Sequence, residues 1–414
     1  EADRGRGKSS AAGLAAANLA REGLDVLVTA PRYRSAEELF ARAEALLERL
    51  GESVERDQSD TPHRLRVGAT EGTRRGRIRF EPPAGAVALP EDPDVVLVDE
   101  AAALPVRRLD ALLAAPSVAF TTTVHGYEGA GRGFSVRFRG RLDDCEHEVA
   151  EVSMTAPIRY AEADPVEVWA FRALLLDARP PVAELVGDAR PESAGYRRLT
   201  SAELVADEHL LREAFGLLVA AHYRTEPNDL ARLLDGPNLV ARALVAEGRV
   251  VAVALLAREG GLDADTRREM YEGERVRGNM VPDVLTSQLR DEGAAEPRGL
   301  RTVRIATHHA LRDEGFGSHL LDEIHAEFGD DIDYFSVGYG ATPRLLRFWR
   351  RAGYRTVHLS TSRNDASGEH SAIMLRPTGE DGPGSDLLDR HAAAFRDRER
   401  DGLSDAHRDV DPDV

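Results

Sequence analysis

Apolar positions along the first third of the chain alternate between two kinds of run. "SSAAGLAAANLAREG" (9–23) is rich in Ala and Leu and closes at Gly23, which predicts a helix. "LDVLVTAP" (24–31) and "DVVLVDEAAALP" (94–105) are short continuous apolar runs, the pattern of strands buried on both faces. "SVAFTTTVHGYEGAGRGF" (117–134) starts as a third strand and runs into hydroxyls and a glycine-rich turn. Farther along, 201–224 carries apolar residues at helical spacing from a start at Ser201. Residues 238–259 read as two strands about a Glu247-Gly248 turn, and 260–300 as a charged insertion with helical pieces. A strand (301–307), an amphipathic helix after Gly317, a strand (331–340), a helix (342–354) and a strand (355–360) follow. Strands and helices in alternation predict the α/β class.

A chain of 414 residues has room for more than one such unit. The stretch 156–195 carries a helical segment bounded by prolines and reads as a connector. The expected division is 1–155, the connector 156–195, a second domain over 196–377, and a tail over 378–414.

Composition narrows the setting. No apolar run approaches the ~18 residues that a spanning helix needs, so no membrane partner is expected. No signal peptide is visible. The single cysteine, Cys145, excludes an internal disulfide and fits a reducing, cytoplasmic location. The net charge is −18, and Lys8 is the only lysine among 54 basic residues. An acidic, arginine-rich surface fits high internal salt, where the Debye length falls to roughly 3 Å at 1 M. Local arginines then matter more than global repulsion, so acidity does not exclude a nucleic-acid partner. The retained lysine points to a site that needs a compact ammonium.

That lysine sits in "GRGKS". The phosphate-binding pattern is G-x-x-x-x-G-K-[ST], with Ala2 where the first glycine would stand. In such a loop backbone N–H groups wrap the phosphates, the lysine reaches the β and γ phosphates, and Ser9 holds Mg²⁺. Asp99-Glu100 closes an apolar strand, where one carboxylate suits Mg²⁺ and the other an attacking water. Arg132 is placed to contact a γ-phosphate in cis. Taken alone, "GRGKS" is also compatible with a basic turn and Asp99-Glu100 with a helix cap; the ordered set points to a nucleotide site.

The second chemical signal is Arg312-x-x-Gly315-x-Gly317 between a strand and a helix. Glycines let the backbone approach a pyrophosphate, and the helix N-terminus supplies donors and a positive dipole. The pattern and the order of elements around it resemble the GNAT acetyltransferases, as does "FWRRAGY". The superfamily splays the strands that follow the loop, here expected at 331–340 and 355–360, to make a slot for an acetyl-pantetheine arm. An ordinary α/β turn is the plainer reading.

Together "DRGRGKS", "TTTVHGYEGAGRGF", "RIATHHALRDEGFGSHLL" and "RFWRRAGY" resemble the RNA cytidine acetyltransferase family, from residue 1 to about 377. The resemblance implies a RecA/helicase-like P-loop ATPase domain followed by a GNAT domain. It implies N4-acetylation of cytidine in tRNA or another RNA, with acetyl-CoA as donor and ATP hydrolysed. By the same resemblance Gly5, Arg6, Gly7, Lys8, Ser9, Ser10 and Arg132 bind nucleotide. Ile305, Ala306, Thr307, Arg312, Asp313, Glu314, Gly315, Phe316, Gly317, Ser318 and Arg351 bind acetyl-CoA. His308 falls at the family's "IATH" histidine and is the candidate general base, with a structurally satisfied histidine as the alternative; Tyr339 is a candidate acid. The family carries a strand ahead of the loop, a further domain and an RNA-binding tail, which implies that this chain is a piece of a longer protein. Two other readings remain: a GNAT enzyme acting on a protein or small amine, and a non-catalytic RNA-remodelling factor.

Overall fold

The computed structural model describes residues 1–56, 64–68, 75–123, 138, 141–221, 227–364 and 368–414. Two compact units emerge, one over Glu1–Asp177 and one running from Ala178 to Val414. Among the described residues no helix is long and apolar enough to cross a membrane.

The first unit opens with α1 (Lys8–Arg21), β1 (Asp25–Thr29) and α2 (Tyr33–Arg49), then β2 (Val54–Arg56), β3 (Arg64–Val67), β4 (Arg77–Phe80), α3 (Pro83–Ala86), β5 (Val95–Val98), α4 (Val106–Leu112) and β6 (Val118–Phe120). Its sheet runs β2-β3-β4-β1-β5-β6. The strands from β4 to β6 are parallel, and β2 and β3 form an antiparallel edge that the apolar pattern did not announce. Every residue of β1 is buried. Ala16, Ala20, Leu39 and Phe40 from α1 and α2 cover one face with Val26 and Val28; Leu109 and Leu112 of α4 cover the other with Leu27 and Val96. Burial on both faces is why these strands read as continuous apolar runs.

Residues 156–195 do not stand apart as a connector. The first part carries α5 (Pro165–Ala173), capped by Asp164 through the Val166 and Glu167 N–H groups, and belongs to the first unit. The second part belongs to the other unit, where Val186 and Ala194 join the core.

The second unit comprises β7 (Gly195–Leu199), α6 (Ser201–Ala206), α7 (Glu208–Ala221), α8 (Pro227–Asp235), β8 (Leu239–Ala246), β9 (Arg249–Gly260), α9 (Ala264–Glu272), α10 (Met280–Asp283), β10 (Arg298–Thr307), α11 (Phe316–Phe328), β11 (Tyr334–Gly340), α12 (Pro343–Arg351), β12 (Arg355–Arg363), β13 (His370–Pro377) and α13 (Pro383–Gly402). The single helix expected over 201–224 is broken at Asp207, whose Oδ1 accepts from Leu210 N. Thr200 rather than Ser201 caps its start, in a reciprocal pair with Glu203.

The sheet runs β12-β13-β11-β10-β9-β8-β7, antiparallel except for β10 and β11. The strand at 355–363 is not beside the strand at 334–340, because β13 lies between them. The expected slot between those two strands is therefore misplaced. The strands that do part are one strand over, β10 and β11. These pair in parallel over Gly299–Thr302 and Tyr334–Val337, and then part. Beyond that point Arg304–Thr307 pair only with β9, and Gly338–Gly340 only with β13. A bulge against β9 between Thr302 and Arg304 sits where the parting begins, and a bulge bends and twists its strand.

Leu320, Leu321 and Ile324 of α11 pack on one face with Leu300, Phe335 and Val337. Leu387 and Leu388 of α13 pack on the other with Tyr334, Ile373 and Leu375. The segment 378–414, expected as the start of a tail, thus places a long helix on the sheet itself.

Candidate functional site

Two glycine-capped helix ends, one in each unit, carry the candidate chemistry. In the first unit α1 is capped by Gly7 in the left-handed region, φ 84°, with no side-chain cap and no acidic residue in its first turn. The first N–H groups of the helix are left for a ligand, and the dipole there favours an anion. Lys8 is buried, and its Nζ lies 3.3 Å from the Asp3 carbonyl. Burial pulls the ammonium's pKa down, and Glu100, Asp99 and Asp3 pull it back up. The lysine and the two strand-end carboxylates, expected together, are brought together.

Asp99 is fully buried. Its Oδ1 accepts from Glu100 N at 3.0 Å and from the Thr121 hydroxyl, while Oδ2 is buried with no hydrogen-bond partner among the described residues. A buried carboxylate oxygen without a partner is costly, and it suits a nucleotide's Mg²⁺. Glu100 takes a left-handed conformation, φ 49°, and accepts from Thr123 Oγ1 at 3.2 Å. Among the described residues no cluster of three or more His, Cys, Asp or Glu is arranged for a metal, so any ion here needs phosphate oxygens as well. Ser9 opens α1 beside Lys8, whereas Ser10 is turned to Glu38, at 2.9 Å. Arg132 lies outside the described residues.

Arg6 is bound in a way the sequence did not reveal. Its Nη1 donates to Tyr160 Oη at 2.9 Å and its Nη2 to Glu167 Oε1 at 2.8 Å; Tyr160 also donates to that oxygen. Ile158 N donates to the Gly5 carbonyl. Residues just ahead of α5, and Glu167 within it, thus brace the Gly5–Gly7 turn. The only hint in the sequence is a Tyr and a Glu at either end of "YAEADPVE", far from the loop.

In the second unit β10 leads to the other capped helix. His308 N donates to Val251 O of β9 at 2.9 Å. Strand alternation therefore turns the Ala306 N–H toward β9, and the Ile305 and Thr307 N–H groups toward the gap left by β11. Arg312, Asp313, Glu314 and Gly315 are exposed, and Phe316 beneath them is fully buried. Gly315, φ 90°, caps α11 without a side-chain bond, leaving the first-turn N–H groups of Phe316, Gly317 and Ser318 as donors. A Cβ on Gly317 would lie 3.4 Å from Phe348 and 3.5 Å from Thr307 Oγ1, so the loop stays close to the slot's wall. Asp313 carries a positive φ, 66°, and pairs with Arg344 at 2.9 Å. Arg351 ends α12, with its Nε 3.3 Å from the Arg347 carbonyl.

His308 has neither ring nitrogen free. Nδ1 accepts from the Ala310 N–H at 3.2 Å, so Nε2 carries the proton and donates to the Pro181 carbonyl at 2.8 Å. The ring is fully buried. Burial lowers its pKa, with the Pro181 carbonyl opposing and His309 and Arg312 adding to the fall. Tyr339, toward the end of β11, donates to Met374 Sδ at 3.1 Å, and burial raises its pKa.

Comparison with known proteins bears on both units. Residues 1–177 match the family described as RNA cytidine acetyltransferase NAT10/TcmA, helicase domain, and residues 213–331 and 320–379 match GNAT acetyltransferase 2. The chain is 64% identical over 414 residues to tRNA(Met) cytidine acetyltransferase TmcA of Haloarcula marismortui, covering all of this chain and 52% of that protein. The Haloferax volcanii protein of the same name is also 64% identical, with 54% of it covered. The Nitrosococcus halophilus one is 41% identical, again with 54% covered. The chain thus spans about half the length of these relatives. Among solved structures, the ribosomal-protein-S18-alanine N-acetyltransferase from Escherichia coli aligns with 46% of this chain and 96% of its own, at 14% identity and a TM-score of 0.31. Arabidopsis thaliana NAA60 in complex with acetyl-CoA aligns with 44% of this chain and 98% of its own, at 13% identity and a TM-score of 0.30. With a helicase domain leading into a GNAT domain and this identity along its whole length, the chain belongs to the RNA cytidine acetyltransferase family.

Proposed function

We propose that this chain carries the two catalytic units of an enzyme that transfers the acetyl group of acetyl-CoA to N4 of a cytidine in tRNA and hydrolyses ATP in doing so. The observation that carries the reading is the parting of β10 and β11 directly ahead of the glycine-capped start of α11. A pantetheine arm needs a gap between strands, and a pyrophosphate needs the free N–H groups at its end.

In the transfer, N4 attacks the thioester carbonyl carbon. A C–N bond forms, the C–S bond breaks, N4 loses a proton and the thiolate gains one. Negative charge develops on the carbonyl oxygen, and the Ile305 and Thr307 N–H groups are its donors in this reading. Tyr339 keeps its proton at neutral pH, as an acid for the thiolate must. His308, expected as the base, instead fixes the turn from β10 into the 312–318 loop, because both its nitrogens are engaged. It is a positioning residue here. Arg312 to Ser318 and Arg351 are assigned to acetyl-CoA.

Gly5 to Ser10, Asp99 and Glu100 are assigned to ATP, with Ser9 and the unpartnered Asp99 Oδ2 holding its Mg²⁺. When bound, that ion neutralises charge on the phosphates. Acetyl transfer contains no phosphoryl step, so ATP turnover is assigned to rearranging the RNA. Unstacking the target base costs a few kcal/mol.

Mass spectrometry of tRNA nucleosides tests the reading. The chain, and a chimera in which it replaces the matching segment of the Haloarcula marismortui relative, are incubated with tRNA, acetyl-CoA and ATP. N4-acetylcytidine is expected, and Lys8→Ala should abolish its ATP dependence. Acetylation of peptide amines with none on tRNA would overturn the assignment.

A further inference from the structure

On the face of the second sheet opposite α11, the insertion between β9 and β10 meets α13 across a cleft of about 460 Å³. Clefts of roughly 300–1,000 Å³ hold ligands of nucleotide size. Its lining is unusual for a chain of net charge −18. Three guanidinium groups converge there, Arg290, Arg390 and Arg398, against the carboxylates of Asp291 and Glu292.

The three arginines are held differently. The guanidinium carbon of Arg290 lies over the Tyr271 ring, 3.7 Å from its centroid, with Nη1 tied to the Tyr271 carbonyl at 2.6 Å. Arg290 is exposed to solvent in the cleft. Arg390 donates to a single oxygen, Asp291 Oδ2, from Nε at 3.3 Å and Nη2 at 2.9 Å, and His391 Nε2 meets the same oxygen at 3.0 Å. Arg398 is anchored by Nη2 on the Val357 carbonyl at 3.1 Å, and burial depresses its pKa against the pull of Glu399. A guanidinium over an aromatic ring stacks on a nucleobase, and the donors that Asp291 and Val357 do not take from Arg390 and Arg398 suit a phosphate.

We propose that this cleft is a second RNA contact, remote from the acetyl slot, which takes one unstacked nucleotide: its base on the Arg290–Tyr271 stack and its phosphate between Arg390 and Arg398. The inference rests on RNA being the substrate. The shared chemistry of a nucleoside monophosphate also admits a free nucleotide, so the test separates the two.

Binding of labelled tRNA to the chain is measured over a range of KCl, for the parent and for Arg290→Ala, Arg398→Ala and the triple variant with Arg390→Ala. Acetyl-CoA affinity and melting temperature serve as controls. The triple variant is expected to bind tRNA at least tenfold more weakly. Its log–log salt slope should be shallower by about 0.7 for each phosphate contact removed. Acetyl-CoA binding should be unchanged. If losing Arg390 unseats Asp291 and the triple variant does not fold, the two exposed single variants carry the test, each with a smaller loss. If the parent binds tRNA and the variants match it in affinity and slope, the cleft is not an RNA contact, while the substrate reading stands. If uridine monophosphate or inorganic phosphate fills the cleft and leaves tRNA binding untouched, a free nucleotide is the ligand and the inference fails. If the parent binds no tRNA, the substrate reading fails first and the cleft falls with it.

Discussion

His308 and Pro181 lie 127 residues apart in sequence, yet His308 Nε2 sits 2.8 Å from the Pro181 carbonyl in the buried turn between the slot strand and the pyrophosphate loop. The neutral ring is a two-ended pin, accepting from Ala310 at one nitrogen and donating to Pro181 at the other. Removing it leaves the buried Pro181 carbonyl unpaired and takes the Ala310 N–H from its partner. His308→Ala is expected to lower stability by about 1–3 kcal/mol, the usual penalty for such orphaned groups. It should slow acetyl transfer without moving the acid limb of the pH–rate profile. Denaturant unfolding and the profile together check this. A base with its own titration would take the acid limb away with it.

Two other histidines set a pH dependence for folding. Burial, with Arg376 nearby, lowers His325 to about 3, and burial, with Arg398 and His407, lowers His358 to about 4. The unfolded chain holds these protons up to about pH 6.5, so below that pH it binds more protons than the folded protein. Stability then rises with pH through the window and is lost as pH falls from 6.5 toward 4. Each group contributes at most about 1.4 kcal/mol per pH unit. Melting temperature is expected to fall between pH 7 and pH 5, and less steeply in His325→Gln. Equal slopes in parent and variant would exclude His325 as a source.

The pyrophosphate loop separates strain from space. Gly315 has φ 90°, and the nearest atom to an added Cβ is Pro191 Cγ at 3.7 Å. Gly315→Ala therefore has room but not the backbone conformation, at a cost of about 1–2 kcal/mol. Gly317 has no positive φ, and an added Cβ would meet Phe348 and Thr307. Gly317→Ala should leave stability near the parent value while weakening acetyl-CoA, because the methyl group stands in the slot. Calorimetric titration with acetyl-CoA, beside thermal melts, distinguishes the two. A Gly317→Ala protein with parent affinity would remove that wall from the slot.

Much of this was legible in the chain, and the misses share a cause. Local chemistry is written locally: "GRGKS", the acidic strand end at Asp99-Glu100 and Arg312-x-x-Gly315-x-Gly317 each fix a turn and its donors. Strand neighbours are not local. The gap expected between 331–340 and 355–360 is one strand away because β13, which follows β12 in the chain, lies between β11 and β12, and no pattern within 331–360 records it. The edge strands β2 and β3 are short and half-exposed, so they lack the apolar run that marks β1 and β5. The Arg6–Tyr160–Glu167 network spans over 150 residues and has no spacing signature. His308 is the sharpest case. The residue type was read from its neighbourhood, but its two partners are set by tertiary packing.

The nucleotide site offers its own test through Asp99. One oxygen is satisfied by Thr121 and by the Glu100 N–H, and the other is buried with no hydrogen-bond partner among the described residues. Asn at this position keeps the satisfied oxygen and removes a buried charge whose nearby cation is Lys8. Asp99→Asn is therefore expected to melt at or near the parent temperature without ligand, since burying a carboxylate with one oxygen short of a hydrogen bond is unfavourable. The same variant should lose the stabilisation that ATP with Mg²⁺ gives the parent. That shift is about 2.7 kcal/mol when ligand is a hundredfold above its Kd. ATP with EDTA supplies the remaining arm: it should stabilise parent and variant alike, because the phosphates still have Lys8 and the helix end. Melts of both proteins under the three conditions decide the matter. If Mg²⁺ stabilises Asp99→Asn as fully as the parent, the ion is held elsewhere, and Asp99 is only the cap of the turn at Glu100.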